Sequence, residues 1–366
     1  MFEFISWKYS PKLRDLSKPQ YDSIVYFRNM ILVTGGTGLV GSHLLYHLLL
    51  KNDSVRAIHQ KSSDLNAVKR VFQFYGSDTE DLFNKIRWVE ASLNDIPELE
   101  NAFDNIKYVY HCAAIISFAS KDYQKMRKVN IHGTTNIVNL CISNQIEKLC
   151  FVSSVAAIEN GPEGVLMDET DNWNNATDKS DYAITKYGAE MEVWRASQEG
   201  IPVVIVNPGV ILGSGFLQRG SGTLFSNVQK GLKFYSEGVT GFVGVQDVVK
   251  IMIQLMGSTL ANQRYVLISE NLSYKSVLFM IADALGKQRP KIKINKLISA
   301  LVWRVEFLRS KITLSTPLLT KYTAKSAMSN HPYTAEKIKN ELNFEFEPIR
   351  SCIEKVASDI NSEINL

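Results

Sequence analysis

Apolar residues from Ile31 onward gather in short runs, and between those runs they recur every three or four positions. Runs rich in β-branched and aromatic residues stand at 31–34, 55–59, 86–91, 108–114, 149–154 and 203–208, and each has the length of a strand. The intervening segments 38–51, 64–75, 122–144 and 182–198 carry the period of helices. Strands and helices in alternation predict a doubly wound α/β fold with a parallel sheet, since right-handed crossovers are nearly the only connections that pack. After Pro208 the rhythm loosens into a glycine-rich stretch, 213–222, helices near 224–231 and 246–256, a strand at 265–269 and later helices. That pattern predicts a smaller, mostly helical lobe over the strand ends.

The turn after the first strand carries the first chemistry. In Thr34-Gly35-Gly36-Thr37-Gly38-Leu39-Val40-Gly41, three glycines fall at 35, 38 and 41 between a strand and a helix. Gly35 permits the tight turn, Gly38 lets the backbone approach a pyrophosphate, and Gly41 lets helix pack close to strand. The helix start, Leu39 and Val40 included, offers free N–H groups and a positive dipole end. This is the fingerprint of a Rossmann dinucleotide site. The chain therefore divides into a dinucleotide-binding domain, 30–208, to which 245–256 returns, and a substrate-binding lobe, 209–244 with 257–366. Residues 1–29 show no helix or strand period and read as an extension, with Met30 as the working first residue.

At the end of the second strand, where an acid would hold the ribose 2′-hydroxyl of NAD, stand His59-Gln60-Lys61. The lack of an acid and the presence of Lys61 favour NADP(H), with NAD(H) the alternative; Asp64 lies near enough to reach a ribose.

Composition narrows the setting. The 366 residues are 45% hydrophobic and 21% charged, and no uncharged apolar run approaches the ~18 residues of a membrane span. Cys112, Cys141, Cys150 and Cys352 form no CxxC pair, which points away from disulfides and structural zinc and towards the cytoplasm. The six histidines make no metal-ligand pattern, and no metal is expected. A net charge of +4 does not call for nucleic acid. The charge is uneven, however: residues 287–325 hold ten Lys or Arg against one acid, Glu306, around the apolar run 297–308. Such a segment fits peripheral contact with an anionic membrane, or a solvated face on a packed helix, in which Leu297, Leu301, Trp303, Phe307 and Leu308 serve as packing residues.

A second constellation lies further on. Ser153-Ser154 closes the fifth strand, and Tyr182 and Lys186 follow at i and i+4 on a helix, sharing one face. A free tyrosine, with a pKa of about 10, is a poor base at neutral pH. A neighbouring ammonium and the positive nicotinamide ring favour the phenolate, which predicts a lowered value and acid/base work. Ser154 would hydrogen-bond the oxygen on which charge develops as hydride moves.

With these residues in order, the chain resembles the extended short-chain dehydrogenase/reductase superfamily, the NAD-dependent epimerase/dehydratase family, from Met30 onward. It is closest in look to the dihydroflavonol reductase-like and 3β-hydroxysteroid dehydrogenase-like branch. The resemblance rests on the glycine turn, on Tyr110-His111-Cys112-Ala113-Ala114, on Asn130 with Gly133-Thr134, and on Ser154, Tyr182 and Lys186. Asn207-Pro208-Gly209 and 242–248 complete it. It implies Ser154, Tyr182 and Lys186 as the catalytic set, with Asn130 supporting the active-site water or cofactor. It also implies Ala113 and Ala114 along the nicotinamide half, Pro208 and Val210 in the cofactor cleft, and a homodimer through the helices 122–144 and 182–198. Where many members carry Asp-Leu for adenine, Ser92-Leu93 stand here.

The branch includes reductases, nucleotide-sugar epimerases and dehydratases. Ser154-Val155-Ala156 lacks the acids of a dehydratase, and between Gly209 and Val248 only Arg219, Lys230 and Lys233 could meet a diphosphate. The leading expectation is thus an NAD(P)-dependent oxidoreductase moving hydride between nicotinamide and a carbonyl/alcohol substrate of small, relatively apolar character. An epimerase holding NAD tightly is the alternative, and a non-catalytic dinucleotide-binding sensor the third.

Overall fold

The computed structural model describes residues 30–364, except 53, 77–78, 159–160, 163, 172, 175–178 and 295–325. The extension 1–29 and most of the basic segment 287–325, with its apolar run, therefore lie outside the described residues.

The first half runs β1 (Met30–Thr34), α1 (Leu39–Leu49), β2 (Val55–His59), α2 (Leu65–Gln73), α3 (Glu80–Asn84), β3 (Ile86–Glu90), α4 (Ile96–Phe103) and β4 (Ile106–His111). It continues through α5 (Tyr123–Met126), a π-helical turn at Arg127–His132, α6 (Gly133–Ser143), β5 (Lys148–Val152), α7 (Asp181–Gln198) and β6 (Val203–Pro208). Local chemistry sets several starts. The Asp64 carboxylate accepts from Ala67 N to cap α2, Ser180 caps α7 through Ala183 N, and Pro97 sits in the first turn of α4. Helices α3 and α4 are too short for a readable period, and sequence reasoning passed over both.

The second half holds β7 (Val210–Leu212), α8 (Gly222–Gln229), β8 (Phe234–Tyr235), β9 (Val239–Gly244), α9 (Val245–Gly257), β10 (Gln263–Leu267), β11 (Glu270–Ser273) and α10 (Tyr274–Ala284). β12 (Ile292–Lys293), α11 (Glu336–Leu342) and α12 (Ile349–Ile364) end the described chain.

The main sheet has the order β10-β6-β5-β4-β1-β2-β3, and every pairing in it is parallel. Strand order reverses between β1 and β4, the crevice where such sheets bind ligands at their carboxyl ends. Two corrections follow. The run near 265–269, placed by the sequence reading in the lobe, is the edge strand β10, because its backbone bonds pair with β6 from Gln263 to Leu267. The single helix expected over 122–144 is broken by the π-helical turn.

Two cores cover the faces of the sheet. One joins Val33, Leu44 and Leu45 to Val248, Met252 and Leu255, which puts α9 on the main sheet. The other packs Leu99, Phe103, Ile137, Val138 and Val193 under Leu149 and Ile205. A third core, with Phe225, Val277, Ile281, Ile353 and Val356, builds the lobe from α8, α10 and α12.

Candidate active site

Gly35 has φ +69°, a left-handed conformation that glycine adopts without cost. A Cβ there would lie 2.6 Å from Ala113 N, and a Cβ on Gly41 would lie 2.2 Å from Gly35 O. Both glycines are thus required by close backbone approach. Gly38 N closes the turn on Gly35 O at 3.0 Å, and Ser42 N makes the first helical bond, to Gly38 O at 2.9 Å. The N–H groups of Leu39, Val40 and Gly41, in the first turn of α1, precede that bond and have no helical acceptor. A cradle that excludes side chains and presents N–H groups fits a pyrophosphate.

The end of β2 folds beside this cradle. Gln60 N donates to Ser63 Oγ at 3.0 Å, Ser63 N donates to Gln60 O at 2.9 Å, and Thr37 Oγ1 donates to Ser63 Oγ at 3.4 Å. Lys61 and Ser62 are exposed on that turn. His59 turns instead to Gln60 O and the Trp88 ring. Asp64 is committed to capping α2 and to Arg70, 3.1 Å away, whose guanidinium holds the carboxyl below its usual range. Of the other expected residues, Ser92 is half-buried after β3, and Leu93 packs against Gly133, where a Cβ would approach it to 2.8 Å. Half-buried Ala113 and exposed Ala114 follow β4, buried Pro208 ends β6, and half-buried Val210 opens β7. All of these stand at the carboxyl edge of one parallel sheet.

Ser154, Tyr182 and Lys186 come to the same edge. The Ser154 hydroxyl accepts from Ala156 N at 3.1 Å and reaches the Tyr182 phenol. Lys186 Nζ donates to Val152 O at 2.7 Å and lies 4.4 Å from the centre of the Phe151 ring. Burial pulls the Lys186 pKa down to about 8, against an opposing pull from Glu190. The tyrosine departs from expectation: burial pushes it up to about 12, and the bond with Ser154 offsets only part of that. The expected lowering by the ammonium does not accompany this: Lys186 Nζ is turned towards Val152 O.

Asn130 sits in the π-helical turn, fully buried. Its Oδ1 accepts from Ile115 N at 2.8 Å, and its Nδ2 donates to Ile115 O at 2.9 Å and to Thr185 Oγ1 at 3.1 Å. Thr185 Oγ1 in turn donates to Tyr182 O at 2.9 Å. The extra residue of a π turn re-aims a side chain that a regular helix would point elsewhere. Here it clamps the loop after β4 to α7.

His111 extends the clamp to the glycine turn. Thr134 Oγ1 donates its one proton to Asn130 O, so the His111 Nε2 that contacts it at 2.9 Å must carry a hydrogen. His111 Nδ1 then accepts from Thr34 Oγ1 at 2.6 Å, and that oxygen accepts from Ala113 N at 3.3 Å. The bonds run in one direction from Ala113 to Asn130. Burial lowers the imidazole to about 3, so it stays neutral and the chain keeps its direction.

Sequence reasoning missed Glu190, one turn past Lys186. This fully buried carboxylate accepts from Ser153 Oγ at 2.6 Å, Asn207 Nδ2 at 2.9 Å and Arg264 Nη1 at 3.1 Å. Arg264, on the edge strand β10, also donates to Glu169 O and Asp171 O. The signal was present: Tyr182, Lys186 and Glu190 continue the same i, i+4 stripe.

With this geometry in view, comparison with known proteins is direct. Residues 31–267 match the model of the NAD dependent epimerase/dehydratase family. The chain belongs to that family. Among its relatives, sterol demethylase protein B of Methylococcus capsulatus is 26% identical over 72% of this chain and 76% of its own length. Anthocyanidin reductase of Arabidopsis thaliana is 27% identical over 72% and 81%. In fold, the family member superposes on UDP-glucose 4-epimerase of Thermotoga maritima with TM-score 0.72, 19% identity and coverage of 92% and 99%. This extended short-chain dehydrogenase/reductase is an NAD(P)-dependent enzyme, an oxidoreductase or epimerase acting on a small molecule. No described helix is long and apolar enough to cross a membrane.

Proposed function

We propose that the enzyme is an NADP(H)-preferring reductase or dehydrogenase of a carbonyl/alcohol pair in a relatively apolar substrate. The observation that carries this reading is the setting of Tyr182. Phe118, 42% exposed, packs edge-on against its ring at 5.8 Å, and exposed Ile116 lies two residues before it. An apolar wall beside the phenol suits a ring or alkyl chain and gives a diphosphate nothing to bind. Arg219 does not serve a diphosphate either, since its guanidinium lies 4.9 Å from the Phe216 ring, which packs on Val71 of α2. Lys230 caps the end of α8 and Lys233 immediately precedes β8.

The dinucleotide, when bound, supplies or takes up the hydride. The N–H groups of Leu39, Val40 and Gly41 would hold its pyrophosphate. Thr37, Gln60 and Lys61 would hold the 2′-phosphate side, Ser92 and Leu93 the adenine side, and Ala113, Ala114, Pro208 and Val210 the nicotinamide side. Ser154 Oγ accepts from Ala156 N and its one proton faces the Tyr182 phenol, so a substrate oxygen entering between the two hydroxyls would take that proton as its hydrogen bond. Tyr182, protonated up to about pH 12, gives that oxygen its proton in the reductive direction. Lys186 keeps positive charge next to the site up to about pH 8. Asn130 holds the Ile115 backbone in place without entering the reaction.

To test this, any nucleotide that copurifies would be released and identified, and the emptied protein titrated with NADPH and NADH. Tighter binding of NADPH, with turnover of apolar ketones or aldehydes, is expected. Tightly held NAD without preference for NADPH would instead identify the epimerase, which returns hydride to the same substrate molecule. A Tyr182→Phe protein that keeps full biological function would identify a binding protein.

A further inference from the structure

The outer end of the lobe is built unlike the nucleotide edge. β8 and β12 form a two-stranded parallel ribbon in which Phe234 is the register partner of Ile292. Register partners project to one face of a sheet, and this face is open: Phe234 is 41% exposed and Ile292 43%. Single exposed apolar residues are ordinary on a protein surface; the surroundings mark this pair. Lys233 precedes Phe234, and Lys291 and Lys293 bracket Ile292, while Lys230, Lys275, Lys287 and Arg289 stand on the adjoining segments. Lys275 Nζ lies 5.5 Å from the Tyr235 ring and 5.7 Å from the Phe279 ring, and Arg289 lies 5.3 Å from Phe279, so the cations and the aromatic rings share one shallow groove.

Two acids answer these charges. Glu237 pairs with Lys275 and Lys293, and Asp283 with Arg289. Among the described residues, Lys230, Lys233, Lys287 and Lys291 have no acid at ion-pair distance. The result is an end of the lobe with excess positive charge, on which two apolar side chains share one face of the ribbon while Tyr235 and Lys293 take the other.

We propose that this end of the lobe docks on an anionic lipid bilayer, with Phe234 and Ile292 entering the interfacial layer and the unpaired lysines meeting headgroup phosphates. Two large apolar side chains are far too few for the core of a stable protein interface, and nucleic acid does not need them. A bilayer rewards this combination, because charge and a small apolar insertion are each marginal alone and additive together. The sequence after β12 continues the same composition, with Lys296, Arg304, Arg309, Lys311, Lys321 and Lys325 against Glu306. This inference does not rest on the reaction assigned above.

Flotation of the full-length protein with vesicles tests it, using phosphatidylcholine alone and phosphatidylcholine mixed with phosphatidylglycerol. Binding to the mixed vesicles, reversed by salt, and little to the neutral ones is expected. Both apolar residues are exposed, so Phe234→Ser with Ile292→Ser should keep the unfolding temperature yet weaken partitioning by about tenfold or more. Lys287→Gln with Lys291→Gln should weaken it by about fivefold per lysine. Absence of binding to the anionic vesicles overturns the proposal, as does binding that neither pair of substitutions changes. Heparin or polyglutamate bound as tightly as the vesicles, with no effect of Phe234→Ser and Ile292→Ser, would assign the surface to an acidic macromolecule and overturn it too. Tyr182→Phe should float like the parent, so loss of the reductase reading would leave this result standing.

Discussion

Successive turns of α7 place Tyr182, Lys186 and Glu190 on one stripe, yet the first two and the third live in different chemistry. Tyr182 is half-buried and Lys186 buried, each with few partners, and both are displaced from their ordinary pKa values, to about 12 and about 8. Glu190 is fully buried and is surrounded by donors: Ser153 just past β5, Asn207 of β6 and Arg264 of β10. A buried titratable group left short of partners is poised to exchange a proton with a ligand, whereas one that is saturated holds structure together. On the proposed function the helix therefore changes role within one turn, from the reacting edge to the anchor beneath it.

The sharpest way to break this contrast is to remove the phenol alone. Tyr182→Phe should lower kcat by at least about 100-fold, as loss of a general acid does, with the thermal midpoint nearly unchanged. Turnover and calorimetry on one preparation check both halves of the statement. Glu190→Ala should do the reverse. It leaves Arg264 without its carboxylate partner and Ser153 and Asn207 without an acceptor, so chemical denaturation should show a loss of about 3–5 kcal/mol.

The pH profile sharpens the contrast further. Lys186 is charged below about 8, so the rate of reduction should be level on the acid side and fall as pH rises through that value, by about tenfold per unit at the limit. A profile with no alkaline limb between neutrality and pH 9 would detach the ammonium from the reaction. The smallest effect belongs to the link between the two worlds. Thr185→Val removes the hydroxyl joining Asn130 to the Tyr182 carbonyl and should cost about 1 kcal/mol in urea titration, with a few-fold fall in kcat.

Much of this was legible in the chain. The glycines, the strand runs and the Ser154, Tyr182, Lys186 spacing are local patterns, and each reports a local requirement: a turn, a covered strand, one face of a helix. Other features have no local trace. The π-helical turn around Asn130 hides inside a helix-like period, because the residue it inserts alters geometry but not hydrophobicity. His111 is one polar residue ending a strand; its neutral state follows from burial, and its tautomer from where Thr34 and Thr134 sit around it. Asp64 could be read towards the cofactor until the start of α2 claimed it.

The order of types along the chain was enough to dictate a parallel sheet, a tight glycine turn between strand and helix and a Tyr/Lys pair, since those follow from periodicity and from the conformations that glycine alone allows. Tertiary packing decided the rest: the return of β10 to the sheet edge, the raised tyrosine, the depressed lysine and the carboxylate of Glu190 between three strands. Each of these depends on desolvation and on partners far away in sequence, and neither quantity exists until the chain has folded.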